Sequence, residues 1–318
     1  MVTLKKILLA NPRGFCAGVS RAVKAVEDTL EIFGAPVYVK HEIVHNKHVV
    51  ADLSAKGIIT IESLSQVPEG AVVVFSAHGS IRDHYTEAQN RHIRLIDATC
   101  PLVTKVHLEV GRFLKEQYQI IYIGHHGHIE GLGVLSEAEK GSIPLVETIE
   151  DVENLDIGNP EKLVYLTQTT LSIDDTAVVI KALQKKYPQI VAPPLSDICF
   201  ATTNRQEAVK ALAKVSDLVL ILGSKNSSNS TRLMETARKE GTEAYLIDDV
   251  SELNTEWLRE KETIGISAGA SAPEKLVEGV VEYFRKQGVT VEDFVVGAEN
   301  MHFAEPLELM QARKKYEK

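Results

Sequence analysis

The sequence predicts an α/β protein of three similar units related by a pseudo-threefold axis, each with a mainly parallel sheet. Three observations predict it. Short apolar runs alternate with stretches of helical periodicity, the pattern of strands joined by crossover helices. The chain holds three cysteines, Cys16, Cys100 and Cys199, and each lies between an apolar run and a helical stretch. Twenty-five residues beyond each cysteine stand His41, His125 and Ser224, each just after another apolar run, so one pattern recurs three times.

Taken in order, Lys6–Ala10 reads as a strand, Asn11–Pro12–Arg13–Gly14–Phe15–Cys16 as a loop, and Val19–Ile32 as an amphipathic helix. Val37–Val39 is a strand before His41, and Val72–Phe75 is another ending in Ser76–Ala77–His78–Gly79. Arg94–Asp97 leads to Cys100 and a helix over Val103–Leu114. The second copy continues with Ile120–Ile123 before His125, then Leu163–Leu166 ending in Thr167–Gln168–Thr169–Thr170. Ile190–Val191 and a loop lead to Cys199, followed by a helix through Ala208 to Val215. The third copy has Leu218–Leu222 before Ser224 and Thr263–Ile266 ending in Ser267–Ala268–Gly269. The expected units are 18–100, 101–197, and 198–285 with 1–17. Residues 286–318 form a C-terminal segment packing back on the body, with a frayed end. Parallel sheets place ligands beyond the carboxyl ends of their strands, where all these polar residues fall.

Composition narrows the function. With 318 residues, 44% hydrophobic and 25% charged, the chain has ordinary globular make-up. A net charge of −9 leaves no basic stripe for nucleic acid. No apolar run approaches a membrane span, and Ile7–Ala10 is too short for a secretory signal, so a cytoplasmic protein is expected.

Three cysteines in a cytoplasmic chain do not suggest a disulfide framework. Inert buried thiols are one reading of them. Their place at helix starts supports another, because the positive end of the helix dipole favours the thiolate, the form that binds metal. Structural zinc fits poorly, for it takes four ligands in short paired spacings. Three thiolates suit iron–sulfur chemistry, and a cubane held by three leaves one iron open to a substrate oxygen.

Six histidines (His41, His45, His78, His125, His126 and His128) follow expected strands. In the third copy Ser224–Lys225–Asn226–Ser227–Ser228–Asn229–Ser230 stands where the others have histidine, with Gly269–Ala270–Ser271–Ala272–Pro273–Glu274 as its companion loop. Hydroxyls, amides and helix N–H groups of this kind make a phosphate cradle. Ser271 with Pro273 and Glu274 also reads as a capping box, and Asn229 or Ser230 as an N-cap. Neither G-x-x-x-x-G-K-[ST] nor G-x-G-x-x-G is present, so neither ATP nor a nicotinamide is implied. Glu130, on a Gly-rich loop beside His128, is a candidate proton donor. Asp97 and Asp197 read as turn residues before their cysteines.

Several segments resemble the 4-hydroxy-3-methylbut-2-enyl diphosphate reductases. They are Asn11–Gly18, Asp97–Val103, Thr167–Ser172, Cys199 with Ala201–Gln206, and Gly223–Ser230. The likeness runs from Leu8 to about Leu307. It implies a trefoil of three α/β units around one central [4Fe–4S] iron–sulfur cluster held by Cys16, Cys100 and Cys199. The implied reaction is the last step of the non-mevalonate isoprenoid pathway. Two electrons and two protons remove an allylic hydroxyl and give isopentenyl and dimethylallyl diphosphates. The resemblance makes Glu130 the proton source, acting with Thr169 and His128. It has His45, His78, His128, Thr169, Thr170, Ser227, Ser228, Asn229 and Ser271 hold the substrate. It also implies a flavodoxin or ferredoxin as electron donor, with no bound nicotinamide or flavin.

The chain departs from that pattern where the family has His-Pro-Glu followed by Val-Glu-Gly. Here the segment is His128–Ile129–Glu130–Gly131–Leu132–Gly133, which reads as a looser loop. His78–Gly79–Ser80–Ile81 also replaces the family's His-Gly-Val-Ser. Three rivals stay open: a diverged paralogue acting on another allylic diphosphate, a non-redox iron–sulfur hydratase, and an iron–sulfur sensor. The stretch from Ala304 on carries no catalytic motif, and Trp257 reads as a packing anchor.

Overall fold

The computed structural model describes residues 4–158 and 160–316. Thirteen strands and eleven α-helices occur among them, and the strands form three wholly parallel sheets. The first sheet is built from β1 (Lys6–Asn11), β10 (Leu218–Leu222), β11 (Glu243–Ile247), β12 (Thr263–Ala268) and β13 (Thr290–Val295), in the order β11-β10-β12-β1-β13. The second is β2 (Val37–Lys40), β3 (Ile58–Ile61), β4 (Val72–Phe75) and β5 (Arg94–Asp97), ordered β3-β2-β4-β5. The third is β6 (Gln119–Ile123), β7 (Leu145–Val146), β8 (Leu163–Thr167) and β9 (Ile190–Val191), ordered β7-β6-β8-β9. In the second and third sheets, and from β10 on in the first, the chain enters one strand in from an edge, steps out to that edge, and returns past its start; in the first, β1 lies between β12 and β13.

The helices are α1 (Ala17–Phe33), α2 (Lys47–Ala55), α3 (Arg82–Asn90), α4 (Pro101–Lys115), α5 (Ile129–Leu135), α6 (Ile149–Asn154), α7 (Ile173–Lys186), α8 (Phe200–Ala213), α9 (Ser228–Lys239), α10 (Glu274–Arg285) and α11 (Leu307–Tyr316). None is long and apolar enough to cross a membrane among the described residues.

Contacts divide the chain into two compact units. One comprises the chain up to Val19, His45–Ala51 and Phe200–His302; the other comprises Ser20–Val44, Asp52–Cys199 and the chain from Phe303 on. In the first unit, alternate residues of each strand feed opposite faces of the sheet. Ile7, Leu9, Leu218, Leu220, Leu222, Ile264 and Ile266 pack with Val277, Val280, Val281 and Phe284 of α10. Leu8, Val219 and Ile221 pack with Val209 and Leu212 of α8 and with Leu233 and Ala237 of α9. Trp257 stacks on Tyr245, with ring centroids 3.7 Å apart, as a packing anchor should.

In the second unit, β6 and β8 do the same. Ile121, Ile123, Leu163 and Tyr165 meet Val179 and Leu183 of α7. Ile120, Tyr122, Val164 and Leu166 meet Val106, Val110 and Phe113 of α4 and Val134 of α5. The 286–318 segment is not one piece. Residues 290–295 pair in parallel with all of β1. The last helix, α11, buries Leu309 and ties Arg313 to Asp28 at 2.9 Å. The expected fraying at 317–318 lies outside the described residues.

Candidate active site

Each cysteine sits directly before the first residue of a helix: Cys16 before α1, Cys100 before α4 and Cys199 before α8. All three are half-buried thiols. Their amides are anchored alike, each donating to a carbonyl of a loop beyond a strand end. Cys16 N–H bonds Ala270 O (3.2 Å), Cys100 N–H bonds Ala77 O (2.9 Å) and Cys199 N–H bonds Thr169 O (3.1 Å). This recurrence is the repeat of the sequence expressed as backbone geometry.

Within the second unit, the polar residues gather around a buried acid. Glu130 is 1% exposed. Its two oxygens accept the Thr169 amide at 2.6 Å and the Thr169 hydroxyl at 2.9 Å. Burial pushes its pKa up to about 7, against the pull of those two hydrogen bonds, so the carboxyl holds a proton near neutrality. The expected loose loop is in fact a helix. His128 caps α5, its Nδ1 accepting the Glu130 amide at 3.2 Å, and Glu130 lies in the first turn. The glycines serve close packing there. A Cβ on Gly131 would come within 3.2 Å of Tyr122 Cε1, and one on Gly133 within 3.2 Å of His107 Cε1. The His78 and His128 rings stand edge to face, with centroids 6.3 Å apart. Thr170 Oγ1 accepts the Gln168 side-chain amide at 2.9 Å.

Within the first unit, hydroxyls and amides gather around 269–272. Asn229 Oδ1 accepts the Ala270 amide at 2.8 Å, and Ala270 is the residue whose carbonyl takes the Cys16 amide. Ser271 Oγ donates to the His45 carbonyl at 3.0 Å and lies 3.3 Å from Ser227 Oγ. Two expectations change here. Ser271 does not cap α10, whose N-cap is Pro273 without a side-chain hydrogen bond. Neither Asn229 nor Ser230 caps α9; Ser227 does, accepting the Ser230 amide at 3.3 Å, which leaves Ser228 as the first helical residue. Both side chains are drawn into the polar cluster instead.

The remaining histidines are held by carboxylates. His41 Nδ1 lies 2.5 Å from Glu62, and His125 Nδ1 lies 3.0 Å from Glu147, which also takes the His126 amide at 3.0 Å. Sequence spacing missed other residues. Arg205 is 1% exposed and donates to Gly14 O, two residues before Cys16, at 3.1 and 2.8 Å. Lys105 of α4 bonds Asp197 at 2.7 Å and the Leu195 carbonyl at 2.9 Å, while Asp197 takes the Thr167 amide at 2.9 Å. One side-chain pair thus ties the helix after Cys100 to the segment before Cys199. Asp197 is accordingly more than the turn residue its position suggested, whereas Asp97 is one, accepting the Thr99 amide and hydroxyl.

Among the described residues, no three His, Cys, Asp or Glu side chains converge as a single-ion site. An iron–sulfur cluster asks something different, thiolates on separate irons. Three soft thiols at three helix starts, in a chain with no fourth cysteine, fit that donor set.

Parallel α/β sheets with their polar residues at strand ends, and a buried carboxyl whose pKa burial raises, are the architecture of an α/β enzyme. The chain belongs to the LytB family, whose model, described as LytB protein, matches residues 7–285. A protein from Glaesserella parasuis serovar 5 (strain SH0165), named 4-hydroxy-3-methylbut-2-enyl diphosphate reductase, is 55% identical over 306 residues, 95% of this chain and 98% of the relative. A Haemophilus influenzae (strain PittGG) protein of the same name is 52% identical, over 96% of this chain and 98% of its own length. The E-1-hydroxy-2-methyl-but-2-enyl-4-diphosphate reductase structure from Plasmodium falciparum superposes with a TM-score of 0.96 at 39% identity, covering 99% of this chain and 100% of that one.

Proposed function

We propose that this chain is a cytoplasmic 4-hydroxy-3-methylbut-2-enyl diphosphate reductase acting at the last step of the non-mevalonate isoprenoid pathway. It removes the allylic hydroxyl as water, using two electrons and two protons, and gives isopentenyl and dimethylallyl diphosphates. The observation that carries the reading is the buried Glu130, its pKa raised by burial, clamped by Thr169 in a chain 55% identical to a relative bearing that enzyme's name.

Cys16, Cys100 and Cys199 would hold a [4Fe–4S] cluster, which when bound would supply reductive and Lewis-acid chemistry at the substrate's hydroxyl. Glu130 carries the proton that departs with the hydroxyl. Its burial keeps that proton in place up to about pH 7, and the Thr169 hydroxyl orients it. His128 fixes the start of α5 and hence the position of Glu130, and it stands beside His78. The substrate is held by His45, His78, His128, Thr169, Thr170, Ser227, Ser228, Asn229 and Ser271. Ser227 and Ser228 open the 12-residue α9, whose N-terminal amides favour anions. A flavodoxin or ferredoxin supplies the electrons.

Product analysis tests the proposal. The cluster-loaded chain, incubated without oxygen with the allylic diphosphate and reduced methyl viologen, should yield both isoprenoid diphosphates by chromatography. Recovery of unchanged substrate would overturn it.

A further inference from the structure

An acid that gives up its proton in every turnover must be recharged, and Glu130 is closed off from solvent. The need for a route rests on the reductase reading above; the geometry of one is independent of it. His107 of α4 lies against the face of α5 that carries Glu130. Its ring occupies a slot lined by two glycines. A Cβ on Gly133 would fall 3.2 Å from Cε1 and 3.4 Å from Nε2, and one on Gly79 would fall 3.2 Å from Nε2. Glu130, Gly133 and Glu137 succeed one another at intervals of three and four residues, so they follow one stripe of α5 and its C-terminal continuation. His107 Nδ1 is 2.8 Å from Glu137 Oε1, at the outer end of that stripe, where the Glu137 side chain is 27% exposed. Its Nε2 is buried and has no hydrogen-bond partner among the described residues. A buried nitrogen left unpaired in this way calls for a function or a water. An imidazole that can accept at one nitrogen and release at the other suits a proton relay.

We propose that Glu137 and His107 form the path by which Glu130 is reprotonated from solvent. Glu137 passes a solvent proton to Nδ1, and the Nε2 proton passes through buried water to the Glu130 carboxylate. One proton moves and no electrons do; the ring, left with its proton on Nδ1, swings outward from its partly exposed seat, exchanges with bulk water to carry that proton on Nε2 again, and returns. The titratable groups that bear on the carboxyl besides His107 are Tyr122 on β6 and Asp197 ahead of α8. The Tyr122 hydroxyl is itself buried and unpartnered among the described residues, but no exposed group is shown beyond it, so it offers no exit.

Infrared spectroscopy reads the path without turnover. The carboxylic-acid band that Glu130→Gln abolishes is followed as the protein is transferred to D2O below pH 7. His107→Asn and Glu137→Gln should slow its hydrogen–deuterium exchange on the order of tenfold. In turnover the same variants should lose kcat by a similar factor with KM unchanged, and added imidazole should restore part of the loss in His107→Asn. If His107 only fills space, removing it loosens the slot. Exchange that is unchanged or faster, or kcat that is undiminished, overturns the path. A wild-type protein that turns over no substrate would instead sink the reductase reading, and the exchange result would stand apart from it.

Discussion

At the scale of single residues, the proposed chemistry rests on Glu130 and the three cysteines, and these separate experimentally. Glu130→Gln keeps the size and an acceptor for the Thr169 amide, reverses the hydrogen bond with the Thr169 hydroxyl, and removes the acid. It should retain cluster and substrate affinity and lose on the order of a hundredfold or more in kcat. Cys100→Ser should act on the cluster itself, lowering iron and sulfide per chain; a full complement in that variant would contradict the ligand assignment. Because burial sets the Glu130 pKa at about 7, wild-type kcat should fall as pH rises above 7, when the donor loses its proton. A pH profile flat from 6 to 9 would contradict this. The sequence singles out the cysteines by their recurrence and Glu130 by its Gly-rich setting beside His128, and the structure adds the burial of Glu130 and its Thr169 contacts. His107 and Lys105 are not singled out in this way. They lie inside an ordinary amphipathic helix, and only the partners that folding brings, Glu137 and Asp197, distinguish them.

At the scale of elements, the strands that the sequence reveals most plainly are those buried on both faces, while the edge strands β5 and β9 are marked chiefly by the cysteines they lead to. Val72–Phe75 and Leu218–Leu222 are fully buried and read as continuous apolar runs. The edge strands β3, β7, β11 and β13 went unread for the same physical reason. β3 buries only its two ends, β7 has two residues, and β13 is largely exposed, so none carries a strong pattern. The stretch 129–135 was misread as a loop because its glycines suggest flexibility. Here Gly131 and Gly133 make room for Tyr122 and His107. Close helix–sheet contact is a second use of glycine. A Cβ on Gly265 in β12 would lie 2.6 Å from Leu212 Cγ of α8 and 2.8 Å from Ser216 Oγ. Gly265→Ala should therefore destabilise the fold by about 1–3 kcal/mol, read from urea unfolding. An unchanged midpoint would show that α8 shifts freely.

At the scale of the whole molecule, a similar winding recurs in three sheets and each copy carries one cysteine at a helix start, which accounts for the odd cysteine count. The first sheet, which holds the third copy of the pattern, is completed by the N-terminal strand β1, lying between β12 and β13. Stability should carry the mark of the buried acid. Glu130 binds its proton more tightly folded than unfolded, so stability is fullest below the unfolded carboxyl pKa and declines as pH rises through about 7. The difference is on the order of 3 kcal/mol. Glu130→Gln should remove most of that slope. A residue would remain from Glu109, which burial also raises to about 7. The central claim is that the buried carboxyl serves a reductase. It is tested most directly by oxidation of dithionite-reduced methyl viologen, measured without oxygen for cluster-loaded wild type and Glu130→Gln with 4-hydroxy-3-methylbut-2-enyl diphosphate. Rapid bleaching by wild type that needs substrate, with almost none by the variant at equal cluster content, is the predicted result. Equal bleaching by both, or none by wild type, would contradict it.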